Sequence, residues 1–224
     1  MTCSKNLLFE VDRLNVTFKV DKLSPHTVLK DIKYTFYKNH FYIILGGNGE
    51  GKTTFVKSIL GQLETTEMFL GYIRCNSENI TAKEFVKKVK IGYIPQFPKE
   101  SLVESLSIGE NFVFRSKLRE NKTIQSWFGS FVYTSDDEDK INNFIDSYDF
   151  FSFLKTRLNE PVSNLSGGQQ QLLNLAIVLY YKPDLIIMDE PTSKLDIDHK
   201  QEFWKILLEL HCSNDKQITY IITT

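Results

Sequence analysis

One glycine-rich stretch restricts the possible folds of this chain more than any other part of its 224 residues. The apolar segment FYIILG, residues 41–46, is typical of a strand that is buried on both faces. The loop GGNGEGKTT follows, and KTTFVKSILGQL then has helical spacing, with Phe55, Ile59 and Leu63 at i, i+4 and i+8. A buried strand, a glycine loop and a helix in this order predict a phosphate-binding loop.

The loop has the residue types that phosphate binding requires. The pattern G-x-x-x-x-G-K-[ST] is met by Gly46, Gly51, Lys52 and Thr53. Glycines let backbone N–H groups approach phosphate oxygens, and the helix start adds the positive end of its dipole. We expect Lys52 to reach the β- and γ-phosphates and Thr53 to place its hydroxyl on Mg²⁺. The predicted contacts cover the whole loop: Gly46, Gly47, Asn48, Gly49, Glu50, Gly51, Lys52, Thr53 and Thr54.

Glu50 is unusual in such a loop because it puts a negative side chain beside a phosphate site. If only the backbone of Glu50 faces the phosphates, its carboxylate can point to solvent. The sequence-based expectation is therefore an outward-facing carboxylate.

A second candidate feature is the acidic end of the segment LIIMDE, where Asp189 and Glu190 follow four apolar residues. Ligands of parallel sheets collect at the carboxyl ends of the strands. We expect Asp189 to hold Mg²⁺, directly or through water, and Glu190 to polarise the water that attacks the γ-phosphate. A charged turn after a strand is the simpler alternative when this segment is taken alone.

A third feature is the uncharged stretch NLSGGQQQL, residues 164–172, which runs into an apolar helical segment. By itself it is best interpreted as a helix start with Ser166 as the N-cap. Ser166, Gly167 and Gly168 would also offer a hydroxyl and backbone N–H groups to a phosphate at that helix end.

The order of these motifs resembles the ATP-binding cassette (ABC) ATPases, with the phosphate loop followed by YIPQ, LSGGQ, LIIMDEP and SKLD. The resemblance covers essentially the whole chain. It implies that two cassettes pair head to tail, so that each ATP lies between the phosphate loop of one and the LSGGQ of the other. Ser166, Gly167, Gly168 and Gln169 would then contact the nucleotide of a second cassette.

The resemblance also assigns single positions. Gln96 is similar to the glutamine that touches Mg²⁺ and the attacking water. Phe18 stands where an aromatic residue stacks on adenine, although a strand core residue is the alternative. Asp196 resembles the aspartate that communicates across the dimer, and an N-cap for the next helix is compatible with that role. The implied catalytic residues are Lys52, Gln96 and Glu190, and the implied metal ligands are Thr53, Gln96 and Asp189.

The chain departs from the family pattern at three places. Leu172 and Ile177 stand where the family often has arginine. The chain stops at Thr224, at or just before the place of a histidine that contacts the γ-phosphate. Either the C-terminal end is truncated before that histidine or Thr224 stands in its place. In both cases the expectation is that nucleotide binding is retained and that ATPase activity is less than full.

The expected fold is α/β: a phosphate-loop core with a parallel sheet, an N-terminal antiparallel β subdomain and an inserted α-helical subdomain. Strands that alternate with helices support the parallel sheet. One domain is expected over 1–224, with the core and β subdomain at 1–97 and 165–224 and the helical subdomain at 98–164.

Composition excludes some classes of function. A net charge of −1 and a pI near 6.4 give no basic excess for nucleic-acid binding. Apolar runs reach only about ten residues, against about 20 for a membrane-spanning helix.

The expected protein is an ATP-binding transporter subunit that is cytoplasmic and peripheral on the inner face of the cell membrane. It would use ATP and Mg²⁺ and pair with a second cassette and an integral membrane permease. The alternatives are a soluble non-transport ABC ATPase and a hydrolysis-impaired regulatory cassette.

Overall fold

The computed structural model describes residues 6–19, 25–63, 67–75, 77–119, 132–213 and 218–224. These residues belong to two compact units. The first unit spans Met1–Tyr93, Pro183–Glu190 and His211–Thr224. The second spans Ile94–Lys182 and Pro191–Leu210.

Among the described residues, the first unit contains eight strands and two helices, except that Ile94, the last residue of β6, belongs to the second unit. In chain order they are β1 (Leu7–Lys19), β2 (Pro25–Tyr37), β3 (Phe41–Ile44), α1 (Lys52–Leu60), β4 (Glu67–Cys75), β5 (Glu78–Ile80), α2 (Ala82–Lys88), β6 (Ile91–Ile94), β7 (Leu185–Asp189) and β8 (Thr219–Thr223). The second unit contains α3 (Ile108–Arg119), α4 (Ser135–Ile145), α5 (Gly167–Tyr180) and most of α6 (Ile197–Cys212). Short 3-10 turns lie at Pro98–Glu100, Asp149–Leu154 and Val162–Asn164.

The N-terminal strands form the predicted antiparallel sheet, in the order β2-β1-β4-β5. Alternation of apolar and polar residues along β1 puts Phe9 and Val11 into the core, and Leu14 and Val16 are buried after irregularities in the pairing with β2. The Phe9 ring stacks on Phe36 of β2 with 4.6 Å between the ring centroids. Phe85 of α2 packs against the same Phe9 ring, also at 4.6 Å. The aromatic cluster therefore joins this sheet to α2.

The second sheet has the order β3-β8-β7-β6, and β8 pairs in parallel with both β3 and β7. All residues of β7 and β8 are buried, as expected for strands in the interior of a parallel sheet. The prediction that residues 41–46 are buried on both faces is wrong. Ile43 is 51% exposed and Leu45 is 77% exposed. Within the described residues β3 pairs only with β8, so it has a neighbouring strand on one side only and its side chains are less covered than those of β7 and β8. Leu45 lies beyond the last residue of β3.

Capped helices build the second unit. The side chains of Ser107 and Glu110 make reciprocal hydrogen bonds with backbone N–H groups at the start of α3, so both residues cap this helix. Thr134 and Asp137 form the same capping box on α4, so the acidic run at 136–139 belongs to a helix start. Asn111 is fully buried, and its amide binds the backbone N–H and C=O of Val103.

The compact units and the predicted subdomains have different bounds. The second unit begins at Ile94 and also includes α5 and most of α6, in addition to the range 98–164. The inserted subdomain over 98–164 stays a prediction. No helix in the described ranges is long and apolar enough to cross a membrane.

Candidate nucleotide site

The glycines of the phosphate loop hold the backbone in a shape that other residues would strain. Gly49 and Gly51 have φ values of +83° and +89°, in the left-handed region. A Cβ atom on Gly51 would lie 2.7 Å from Cγ1 of Val28. Gly51 is the N-cap of α1, so the helix begins at Lys52 with its N–H groups facing the loop. The sequence pattern therefore reflects both a backbone requirement and a packing requirement.

Lys52 is buried and satisfied within its own unit. It is 7% exposed, and its Nζ donates to the carbonyl oxygens of Gly46 at 2.7 Å and Gly47 at 3.0 Å. The same nitrogen lies 3.0 Å from Oε1 of Glu190. A buried cation needs such partners because desolvation of an unpaired charge is costly. The loop and the acidic strand end, which are distant in the sequence, thus meet at one ammonium group.

The Glu50 side chain lies elsewhere than expected. Its Oε2 accepts a hydrogen bond from the backbone N–H of Gly47 at 2.7 Å. A Cβ atom on Gly46 would lie 2.8 Å from this same oxygen. The expected outward-facing carboxylate is therefore wrong. A free backbone donor three residues earlier in the loop offers the carboxylate a charge-assisted hydrogen bond that water would otherwise supply.

The acidic strand end is held by a residue that sequence reasoning missed. Asp189 is 3% exposed, and Oγ1 of Thr223 donates to its Oδ1 at 2.7 Å. The same hydroxyl accepts the backbone N–H of Glu190 at 2.9 Å. Glu190 has a φ of +44°, which is uncommon for a residue other than glycine, and the bond to Thr223 helps to hold it. Thr223 is opposite Asp189 in the parallel register of β7 and β8, and no sequence motif contains both residues.

A cavity of about 360 Å³ connects the predicted adenine position to the phosphate loop. Its lining residues are Phe18, His26, Val28, Gly49, Gly51, Lys52, Thr53, Thr54 and Glu190. Within this set, Phe18 offers an aromatic face, the loop offers backbone amides, and Lys52 offers a cation. Thr53 is exposed, so its hydroxyl is accessible. These groups fit a nucleoside triphosphate, and Thr53 and Asp189 offer the hard oxygen ligands that Mg²⁺ prefers. His26 was not among the predicted residues.

The LSGGQ stretch starts α5 in the second unit. Ser166 is the N-cap, its Oγ accepts the N–H of Gln169 at 3.3 Å, and Oε1 of Gln169 accepts the N–H of Ser166 at 3.2 Å. The helix-cap interpretation thus holds, and the hydroxyl proton of Ser166 is not needed for it. Ser166 and Gly167 are exposed, whereas Gly168 is buried. The His199 ring covers Gly168, where a Cβ atom would lie 2.9 Å from Cδ2 of the ring.

Asp196 caps α6 and binds the same histidine. Its Oδ1 accepts the N–H of His199 at 3.0 Å, and its Oδ2 lies 2.6 Å from Nδ1 of the ring. The hydrogen bond to the Asp196 side chain, and then its charge, raise the pKa of His199. The pKa of Asp196 is lowered, first by the His199 N–H and then by the ring. Both side chains are exposed, so solvent weakens the pair.

Two glutamines of the second unit make hydrogen bonds to the segment at 191–193, which precedes the predicted site residue Asp196. Nε2 of Gln96 donates to Oγ of Ser193 at 3.2 Å. Gln171, which was not predicted as functional, is buried and donates to the carbonyl oxygen of Pro191 at 2.9 Å. The two positions without the expected arginine, Leu172 and Ile177, are buried in α5, where an apolar side chain suits the surroundings.

Within the first unit, the structure brings together Phe18, the loop at 46–54, Asp189 and Glu190. Gln96, Ser166, Gly167, Gly168, Gln169 and Asp196 lie in the second unit. The individual catalytic, nucleotide and metal roles of these residues stay predictions.

The amino-acid sequence is similar to those of known proteins. A family model described as "ABC transporter" matches residues 29–193. The chain is 31% identical over 214 residues to the energy-coupling factor transporter ATP-binding protein EcfA of Malacoplasma penetrans, which covers 95% of this chain and 67% of the relative. It is 33% identical over 195 residues to the zinc import ATP-binding protein ZnuC of Rickettsia bellii, with 86% and 67% covered.

Solved structures agree with the sequence comparison. The structure of cbiO1 from Clostridium perfringens, part of the ABC transporter complex cbiONQ, superposes with a TM-score of 0.71 at 26% identity. That match covers 98% of this chain and 79% of cbiO1. A nucleotide-free ATP-binding cassette from an ABC transporter has a TM-score of 0.70 at 20% identity and supports the fold alone. The expected α/β cassette fold is confirmed.

Proposed function

Because the chain belongs to the ABC transporter family, we propose that it is an ATP-binding subunit that couples ATP binding and hydrolysis to transport through a separate membrane subunit. The relatives named above are ATP-binding proteins of transporters, which supports this general role. The observation that carries the proposal is the contact of Lys52 with both the phosphate loop and Glu190 at one end of the cavity that Phe18 lines.

Each group at that end of the cavity has a chemical task. When ATP is bound, it supplies the phosphoanhydride bond that is cleaved. Lys52 would exchange its carbonyl and carboxylate partners for phosphate oxygens, and Thr53 and Asp189 would hold Mg²⁺. Glu190, released from Lys52, would accept the proton of the attacking water. Thr223 acts indirectly, because its hydroxyl fixes Asp189 and the backbone of Glu190.

A second cassette, either a copy of this chain or a related one, would complete the site. Ser166 and Gly167 are exposed at a helix N-terminus, which supports a role as donors to a γ-phosphate outside their own unit. Gln169 and Asp196 would lie at the same junction, and Gln96 would contact the metal and the attacking water. An integral membrane permease would receive the resulting motion, which puts the chain on the cytoplasmic side of the cell membrane.

Steady-state release of phosphate from ATP by the purified chain, alone and with its membrane fraction, tests the enzymatic part. We expect Glu190→Gln to bind ATP but to release phosphate more slowly by a factor on the order of 100, because the proton acceptor is lost. Glu209→Gln, an exposed carboxylate of α6, serves as the control. Equal turnover in Glu190→Gln and the wild type would remove Glu190 from the reaction. Affinity purification that retrieves no integral membrane protein would contradict the transport role.

A further inference from the structure

The carboxylate of Glu50 occupies the phosphate loop itself. Its Oε2 is 2.7 Å from the backbone nitrogen of Gly47 and lies where a side chain on Gly46 would collide with it. The backbone N–H of Glu50 in turn donates to the carbonyl oxygen of Gly47 at 3.3 Å. Glu50 therefore folds back over the first residues of the loop, and the residue remains accessible to solvent there.

A carboxylate in this position has the chemistry of the ligand that the loop is built to bind. Loops of this type bind anions because backbone N–H groups converge on an anionic oxygen. Oε2 of Glu50 is such an oxygen, and its bond to the Gly47 N–H is charge-assisted. Lys52 is satisfied in a similar way, by two loop carbonyls and Glu190. In this state, protein groups already satisfy both the cation and a loop amide.

We propose that Glu50 is a built-in competitor for the phosphates and thereby sets the affinity of this chain for nucleoside triphosphates. Binding requires the carboxylate to leave Gly47 and to move away from the incoming phosphate oxygens, which carry the same sign of charge. The apparent dissociation constant is the intrinsic one divided by the fraction of loops from which Glu50 has swung out. This inference rests on the proposed nucleotide site.

Two substitutions at this position separate the charge of the side chain from its presence. Glu50→Gln keeps the shape and a neutral acceptor, and Glu50→Ala removes the group altogether. Fluorescent-ATP titration, with and without Mg²⁺, should show tighter binding in the order wild type, Glu50→Gln, Glu50→Ala. The full gain should be about tenfold, in line with the loss of one charge-assisted hydrogen bond. Because Glu50 is an exposed loop residue, both variants should fold.

Two controls keep the outcomes distinct. Asp139→Asn removes one exposed negative charge from α4 and should leave the affinity unchanged. Lys52→Ala should abolish binding in every background. If the wild type binds ATP and both Glu50 variants bind equally or more weakly, the competitor role is wrong while the nucleotide site stands. If no variant binds ATP, the nucleotide site fails, and this inference fails with it.

The backbone amide of Gly47 gives a second measurement that needs no ligand. In the ¹⁵N–¹H spectrum of the wild type, the Gly47 proton should be shifted downfield by its bond to the carboxylate, and Glu50→Ala should move it upfield. Addition of MgATP to the wild type should displace the carboxylate and change the same signal. A Gly47 signal that is identical in the wild type and Glu50→Ala would overturn the proposal.

Discussion

The phosphate loop and the LSGGQ stretch are both glycine-rich helix starts, but they differ in how far protein groups already occupy the hydrogen-bond donors that would face a ligand. In the phosphate loop, Lys52 is buried against carbonyls and Glu190, and Gly47 donates to Glu50. In the LSGGQ stretch, Ser166 and Gly167 are exposed, and open space surrounds the position of a Cβ atom on Gly167 among the described residues. The phosphate loop must therefore exchange internal contacts for a ligand, whereas the hydroxyl proton of Ser166 and the backbone N–H of Gly167 lie outside the capping box that occupies the N–H groups of Ser166 and Gln169.

The largest effect should come from the acidic strand end beside the loop. Thr223→Val keeps the shape of the side chain but removes the hydroxyl that donates to Asp189 and accepts the Glu190 N–H. We expect the free energy of unfolding to fall by about 2 kcal/mol, because both groups lose a bond in a buried setting. Urea unfolding checks this, with Thr224→Val at the exposed neighbouring position as the control. Equal stability of the two variants would mean that the hydroxyl does not hold this end.

An intermediate effect should come from the LSGGQ side. Ser166→Ala and Thr134→Ala each remove the N-cap of a capping box, on α5 and α4, and each should lower stability by about 1 kcal/mol. Only Ser166→Ala should also weaken ATP-dependent association, since the hydroxyl proton of Ser166 is free for a phosphate. Sedimentation velocity in a Glu190→Gln background measures this. Loss of association in both variants would assign the effect to helix stability alone.

The smallest effect concerns the pair of His199 and Asp196. Asp196→Asn should lower the pKa of His199 toward its ordinary value, because the carboxylate that raises it is gone. The paired state contributes in full below the ordinary histidine pKa and is lost as the pH rises through the raised one. On the acid side, it is lost as the pH falls through the lowered pKa of Asp196. NMR titration of the ring protons reports the shift, and Asp198→Asn should give a smaller one.

The sequence predicted those parts of the fold and site that depend on local residue types. The glycines at 49 and 51, the lysine after them and the apolar strand before Asp189 have spacings that only a few structures satisfy. The helix start at Ser166 was equally predictable, because capping is a local interaction.

What the sequence did not predict depends on neighbours that are distant along the chain. The exposure of β3 follows from its place at the sheet edge, and no local pattern encodes strand order. Thr223 meets Asp189 through the parallel register of two strands that lie 34 residues apart. Glu50 was misplaced for another reason: its partner is close in sequence, but a glycine loop leaves the direction of a side chain undetermined.

The edge strand β3 has a practical consequence for measuring how many chains associate. One of its sides pairs with β8, and within the described residues the other side has no strand beside it, while Ile43 and Leu45 are largely exposed. The unpaired backbone groups of an edge strand can form hydrogen bonds with a strand of another molecule. A dimer formed through β3 would persist without nucleotide, and neither LSGGQ stretch would contact the nucleotide of the other chain. A measured dimer is therefore evidence for ATP bound between the phosphate loop of one cassette and the LSGGQ stretch of the other only if the dimer depends on nucleotide.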